Sequence, residues 1–507
     1  MSTPFSPRTR PAEAPPRPCR GWSCLASLLL AVATVAAPAQ TPLRFGVAQP
    51  PITLDPRHAT DAASERICRL IYRALVGFNE RYQPVPELAR WEELSPTHYR
   101  FTLGRDGREF HDGTHLTAAD VKSTYDYVLD TANASPHRGA LEAVARVETP
   151  DSEHVDFHLR RPDALFPGRL TIGIVPASAA AGGRLARNPV GTGPYRLSDW
   201  PDSGLLNLRR VADGAPLRFV TVPNPTVRAL KLVSGEIDLL QGDMPPELLT
   251  WLRGRPGTRV RHVPGDSVAY LGFNLAEGAT RDLRVRQAIA HAIDRTAILK
   301  YVFAGGGRLA SSVLPPEHWA GAAGLPALAH DPQRSRELLR AAGYGTGRPL
   351  RITYKTSSDP FRVRIATILQ SQLREVGIEV DLRSHDWGTF YGDIKAGRFQ
   401  MYSLSWVGLK LPDIFRYAFH SSSLPPQGAN RGRYRDPVVD GLIDGAETEP
   451  QPQRRAALYG QVQRRLLDAL PIIPLWSEDV TVVMRASVSG YEPATDGNYD
   501  SLAHARW

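Results

Sequence analysis

The stretch "LRITYKTSSDPFRVRIATILQSQLREVGIEVDLRSHDWGTFYGDIKAGRFQMYSLSWVG", residues 350–408, decides the fold class. "LRITYKT" reads as a strand, and "FRVRIATILQSQLREVG" as a helix closed by Gly377. "IEVDLRS" is a second strand, "DWGTFYGDIKAG" a second helix and "FQMYSLSWVG" a third strand. Strands that alternate with helices across short loops predict a parallel sheet with right-handed crossovers. Ligands of such sheets sit at the carboxyl ends of the strands. Those ends are Lys355–Ser358, Ser384–Trp387 and Trp406–Lys410. The expectation is an α/β protein with a binding crevice at these three loops.

Working outward, "RRAALYGQVQRRLLDAL" is a helix and "IIPLW" a strand that close this region. Before it, "VAYLGFNL" is a strand and "LRVRQAIAHAIDRTAILKYVF" reads as two consecutive helices. A further helix is capped by Asp331-Pro332 and ended at Gly343. Towards the N-terminus, "LRFGV" (Leu43–Val47) is a first strand. A helix follows from about Ala62 to Leu75, with Ile67, Ile71, Ala74 and Leu75 on one face. Cys68 sits beside that face, which makes it a buried, inert thiol. "NPVGTGPYRLSDW" is a Gly/Pro loop entering a strand; it lacks the Lys-Ser/Thr of a phosphate loop and the third glycine of a dinucleotide fold.

One block could be taken for a metal site. "YRFTLGRDGREFHDGTHLTAADV" carries His111, Asp112 and His115 within five positions. Tyr99, Phe101 and Leu103 alternate with polar residues, as in a half-buried strand, and "GRDG" supplies hairpin-turn chemistry. "EFHDG" then reads as a short return strand, and Thr117 with Asp120 as a capping-box-like helix start. Zinc sites want three or four supported ligands, and the chain has no Cys-x-x-Cys and no His-Glu-x-x-His. The histidines are read as flanking a structural turn, and neither a metal nor a cofactor is expected.

At 507 residues the chain exceeds one compact core, and two or three domains are expected. Its net charge of +9 comes from scattered arginines without a run that would track phosphates, so no nucleic-acid partner is expected. Near the N-terminus Arg8, Arg10, Arg17 and Arg20 precede the apolar core "SCLASLLLAVATVAA" and the small-residue site Ala37-Pro38-Ala39. That core is short for a membrane span. Residues 1–39 are therefore read as a cleavable signal peptide, with a retained anchor as the alternative. The mature chain from Gln40 holds one cysteine, Cys68, which permits no intrachain disulfide.

An ordered series of blocks covers nearly all of the mature chain: "TLDP", "YRALVGFNERYQPVPELARWEE", the "FHDG" block, "NPVGTGPYRL", "LVSGEIDLL", "YLGFNL", "DLRVRQAIAHAIDR", "LLRAAGY", "LQSQLREVGIEVDLRSHDW" and "LPIIPLW". In this order they resemble the extracytoplasmic solute-binding proteins of ABC importers, in the peptide- and nickel-binding family (family 5). The resemblance implies a two-lobed, type II periplasmic-binding-protein fold with an extra subdomain inserted in the first lobe. Residues 40–75, 186–265 and 478–507 would form lobe I, 76–185 the inserted subdomain and 266–477 lobe II. The lobes would close on ligand about two crossings, near Gly265–Val268 and Pro474–Asp479. It further implies a monomer in the periplasm without chemistry of its own, whose partners are a small, peptide-like solute and the ABC permease subunits. An exported hydrolase and a ligand sensor of the same fold remain alternatives; the chain has no Gly-x-Ser-x-Gly nucleophile motif.

Residue by residue, Trp387 and Trp406 match the pair that walls the peptide pocket in related binders, with two core tryptophans as the alternative. The aspartate that holds a peptide's α-amino group, three residues after the second tryptophan, is here Leu409. The arginine that dipeptide binders use for the carboxylate falls at Thr356. Asp413 or Lys410 is a candidate substitute from the same loop, and Lys355 a candidate for a carboxylate. The leader reading has a direct check: N-terminal sequencing of exported protein should begin at or near Gln40, and recovery of an intact leader in the membrane fraction would refute it.

Overall fold

The computed structural model describes residues 41–179, 183–242 and 244–507. The expected signal peptide and the start at Gln40 lie outside the described residues.

The strand Leu43–Val47, wholly buried except at Arg44, runs parallel to both neighbours, Pro216–Thr221 and Leu239–Gln241. It is the middle of a seven-stranded sheet. On one side stand Leu239–Gln241, Val480–Arg485 and Thr258–Val263; on the other Pro216–Thr221, Leu205–Arg210 and Tyr195–Asp202. Leu43, Phe45, Leu217, Phe219 and Tyr491 pack together in its core.

A second, six-stranded sheet runs in the order Gly307–Leu309, Ile472–Glu478, Val268–Phe273, Met401–Trp406, Leu350–Ser357, Ile378–His385. Val268–Phe273 is buried at every position, as a strand covered on both faces must be. The last three strands are mutually parallel, as the alternation of strand and helix predicts. Val268–Phe273 is antiparallel to both of its neighbours, so the whole sheet is mixed. Helices between the parallel strands start on acidic caps: Asp359 accepts from Arg362 N and Asp386 from Thr389 N.

The block with His111 belongs to a separate four-stranded sheet, ordered Ala89–Ser95, His98–Leu103, His154–Leu159, Val144–Glu148. The expected return strand "EFHDG" does not form. Both edges of His98–Leu103 are already taken by antiparallel partners, so Glu109 meets His115 only in an isolated bridge. The helix start is as read: Thr117 N donates to Asp120 Oδ2 at 2.8 Å.

The first helix ends earlier than its apolar face suggests, spanning Ala62–Ile71 with Tyr72 extended. The "VGTGPY" loop explains this. Gly193 N donates to Ile71 O at 2.8 Å, and a Cβ on Gly191 would stand 2.1 Å from that same oxygen. These glycines serve close packing against a helix end. Cys68 is buried on this helix, and burial pushes its thiol pKa well up. No helix among the described residues is long and apolar enough to cross a membrane.

The chain passes between the two large sheets twice. It leaves Thr258–Val263 for Val268–Phe273, and returns from Ile472–Glu478 to Val480–Arg485. Pro474 is still inside the second sheet, opposite Tyr270, which confines the return to the residues around Asp479. The passages touch: a Cβ on Gly265 would lie 2.1 Å from the backbone oxygen of Glu478. Gly265→Ala should therefore lower stability by about 1–3 kcal/mol through overpacking. Gly392→Ala, in a helix where a Cβ meets nothing within 4 Å, should be neutral or stabilising. Urea unfolding of both variants checks the contrast.

Candidate functional site

The parallel strands of the six-stranded sheet create the site. From Leu350–Ser357 the chain moves to a neighbour on one side, Ile378–His385, and then to the opposite side, Met401–Trp406. Strand order reverses there, and the carboxyl ends at such a reversal frame a crevice.

Trp387 opens the helix Trp387–Lys395 at one of these ends. It is 59% exposed and stacks on Tyr391 one turn on, with centroids 5.3 Å apart and planes 7° apart. Trp406 ends the strand Met401–Trp406 and is half-buried. Its indole lies 5.7 Å from the Tyr270 ring, with planes 12° apart, and Tyr417 approaches at 6.3 Å. Its Nε1 is buried without an acceptor among the described residues. Thr356 is only 1% exposed, on the alternation that also buries Ile352 and Tyr354, with Oγ1 3.4 Å from Ser403 Oγ. Lys355 faces the other way and pairs with Asp393 at 2.6 Å.

A cavity of about 700 Å³ is lined in part by the loop that follows Trp406. Leu409, Lys410 and Asp413 of that loop share its lining with Arg66, Arg69, Arg169 and Asp496. Of the site residues read from the sequence, the cavity brings together Leu409 and Asp413; Trp387, Trp406 and Thr356 stand outside its wall.

Both charges of the loop are already paired. Asp413 accepts from Arg169 at 2.7 Å, and Arg169 also reaches Asp163 at 2.7 Å. Burial works against the Arg169 cation, but the two carboxylates outweigh it and its pKa is raised. Lys410 Nζ stands 2.6 Å from Asp496 and 3.5 Å from Asp266. Asp266 lies where the chain passes between the sheets, 1% exposed. Burial first, and then the Asp496 charge, push its carboxyl up to about 6 against the opposing pull of Lys410.

The histidines of the "FHDG" block go separate ways. His111 Nε2 is 3.0 Å from Gly193 O, tying the block to the glycine loop, and burial lowers its pKa. His115 sits in the bridge to Glu109. A different pair does meet: His98 and His158 are cross-strand neighbours with rings 4.2 Å apart, and His98 Nε2 is 3.4 Å from Asp156 Oδ2. Arg100 forks both Asp156 oxygens at 2.7 Å, and His158 pairs with Glu148 at 2.9 Å, so the donors of this group are engaged in an ion-pair network.

Sequence reasoning passed over Arg431. It is 7% exposed, donates to Tyr270 Oη at 3.0 Å and to Tyr391 Oη at 3.1 Å, and lies 5.1 Å from the Trp406 ring centre. The segment "GANRGRYRD" that carries it holds no local signal for that environment.

Comparison with known proteins agrees with this architecture. Residues 83–424 match the family described as bacterial extracellular solute-binding proteins, family 5 (middle region). The chain is 29% identical to a putative ABC transporter peptide-binding protein of Brucella ovis, over 80% of this chain and 81% of the relative. It is 29% identical to a probable di/tripeptide-binding protein of Pseudomonas aeruginosa, over 82% and 86% respectively. Among solved structures it is similar to the ABC transporter-associated periplasmic binding protein DppA of Helicobacter pylori in complex with a peptide. That likeness has a TM-score of 0.77 and 25% identity over 92% of this chain and 98% of the other.

Asp266 carries a pH prediction. Burial pushes its carboxyl in the folded state from the ordinary 3.8 up to about 6. The folded state then binds the extra proton between about pH 4 and 6, so this residue's contribution to stability rises as pH falls through that window. Asp266→Asn should stabilise the protein at pH 7.5, on the order of 1–3 kcal/mol, with the gain gone by about pH 4. Unfolding midpoints measured across this range decide it; a destabilised variant at pH 7.5 would show that the Lys410 contact outweighs burial.

Proposed function

The chain belongs to the bacterial extracellular solute-binding proteins, family 5, and from that premise we propose that it captures a peptide-like solute between two lobes and passes it to an ABC permease. It is the solute-binding component of an import system. The peptide-binding names of its relatives support the solute class. Lobe I corresponds to the seven-stranded sheet, residues 40–75, 186–265 and 478–507, with the four-stranded sheet inside the insertion 76–185. Lobe II, residues 266–477, corresponds to the six-stranded sheet, whose strand Ile472–Glu478 ends one residue past that bound. The protein acts as a periplasmic monomer, exported through a cleaved leader, and performs no catalysis of its own.

The observation that carries this reading is the loop after Trp406. It leaves a strand of one sheet and reaches the cavity wall, pairing Lys410 with Asp496 and Asp413 with Arg169. Such contacts between segments assigned to different lobes are what domain closure forms and breaks.

The same loop restricts the ligand. Leu409 is apolar where peptide binders place an acid, Asp413 is spent on Arg169, and Thr356 is buried. A buried ammonium without a partner costs several kcal/mol. Free-amino dipeptides should therefore bind weakly, and solutes lacking that ammonium better. Leu409→Asp should raise affinity for free-amino peptides at least tenfold, and Trp406→Ala should weaken every ligand. Calorimetry with free and N-acetylated peptides tests this. Wild-type binding of free dipeptides beyond about −8 kcal/mol would sink the ligand assignment, and small-angle scattering without compaction at saturating ligand would sink lobe closure.

A further inference from the structure

Buried arginines in this chain are met in two ways, and Arg431 follows neither. Arg286 donates to the carbonyls of Thr280, Arg281 and Ala469, and Arg295 to those of Ala310, Pro474 and Leu328. Arg169 is held by two carboxylates. Arg431 has only hydroxyl partners, Tyr270, Tyr391 and Tyr402, and aromatic faces, with no ion pair among the described residues. A buried cation without a counter-charge is costly unless something supplies one.

What surrounds it is rich in donors. The Tyr391 phenol that accepts from Arg431 keeps its own proton to donate, whereas the Tyr270 hydroxyl is bonded to Tyr402. The indole N–H of Trp406, whose ring lies over the guanidinium, is buried without an acceptor. A void of about 20 Å³ touches Arg431, Trp406, Tyr270 and Tyr402, room for one water-sized group. The cluster stands at the carboxyl ends of two parallel strands: Trp406 ends one, and Tyr391 lies one turn into the helix after the other, beneath Trp387.

Resting on the reading of this crevice as the solute site, the geometry points to Arg431, with the Trp406 indole N–H and the Tyr391 hydroxyl, as the receptor for a carboxylate of the captured solute. It supplies the positive charge missing at Thr356, from a different segment of the chain. With Leu409 rejecting an ammonium, the favoured solute bears a carboxylate and no free α-amino group near that loop.

The test uses the full mature protein, stripped of ligand by unfolding and refolding, and matched pairs of N-acetylated dipeptides, as acid and as C-terminal amide. Calorimetry should show wild type preferring the acid at least tenfold. In Arg431→Gln the preference should fall below about threefold while amide affinity is kept, and Tyr391→Phe should lie between. If Arg431→Gln fails to fold, Tyr391→Phe and the wild-type preference decide. Equal binding of acid and amide by wild type, or a preference that survives Arg431→Gln, overturns the assignment. Should neither acid nor amide bind, the peptide reading fails. The Trp406 indole N–H resonance, titrated with acetate and benzoate, then judges the anion site alone. A saturable shift in wild type that Arg431→Gln or Tyr391→Phe abolishes sustains it, and no shift overturns it.

Discussion

The segment from Val407 to Asp413 is held by two cations set against four carboxylates. Lys410 lies between Asp496 and Asp266, and Arg169 between Asp413 and Asp163. These pairs fix where the loop after a strand of the six-stranded sheet meets the cavity wall, which the first helix and the segments around Arg169 and Asp496 build. The cavity owes its shape to them, and so does its chemistry. A charge engaged in such a pair is withdrawn from ligand recognition, because breaking a buried pair leaves an uncompensated ion. What that segment itself leaves for a solute is the apolar surface of Leu409.

Much of the fold was legible in the sequence because it is written locally. Asp331 caps one helix, Gly377 follows another at positive φ, and the three parallel strands follow from their alternation with helices. The misreadings have a common cause. A hairpin was expected after Leu103 because turn chemistry is local, while occupancy of a strand's two edges is not. The helix from Ala62 was drawn too long because its terminator, the Gly191–Gly193 loop, arrives from far along the chain.

The site was legible only in part for the same reason. The loop residues Leu409 and Asp413 could be placed by their spacing from Trp406, and both reach the cavity. Period-2 alternation in "LRITYKT" sets Thr356 on the buried face, with Ile352 and Tyr354. Asp413 could not be recognised as spent, since its partner Arg169 belongs to another unit of the fold. Nor could Arg431, whose surroundings are assembled from Tyr270, Tyr391 and Trp406 on three separate elements. Cross-strand meetings such as that of His98 with His158 are equally invisible to motif spacing.

The buried thiol has a practical consequence. Cys68, on the buried face of the first helix, is the one cysteine among the described residues, and burial holds it in the unreactive protonated form. In the mature chain proposed above, which starts at Gln40 without Cys19 and Cys24, a cysteine introduced at an exposed position would take a maleimide dye while Cys68 stays unlabelled. Dyes attached near the mouth of the crevice would convert solute capture into an optical signal. The fold is accordingly ready to serve as a reagentless biosensor for whatever its crevice holds.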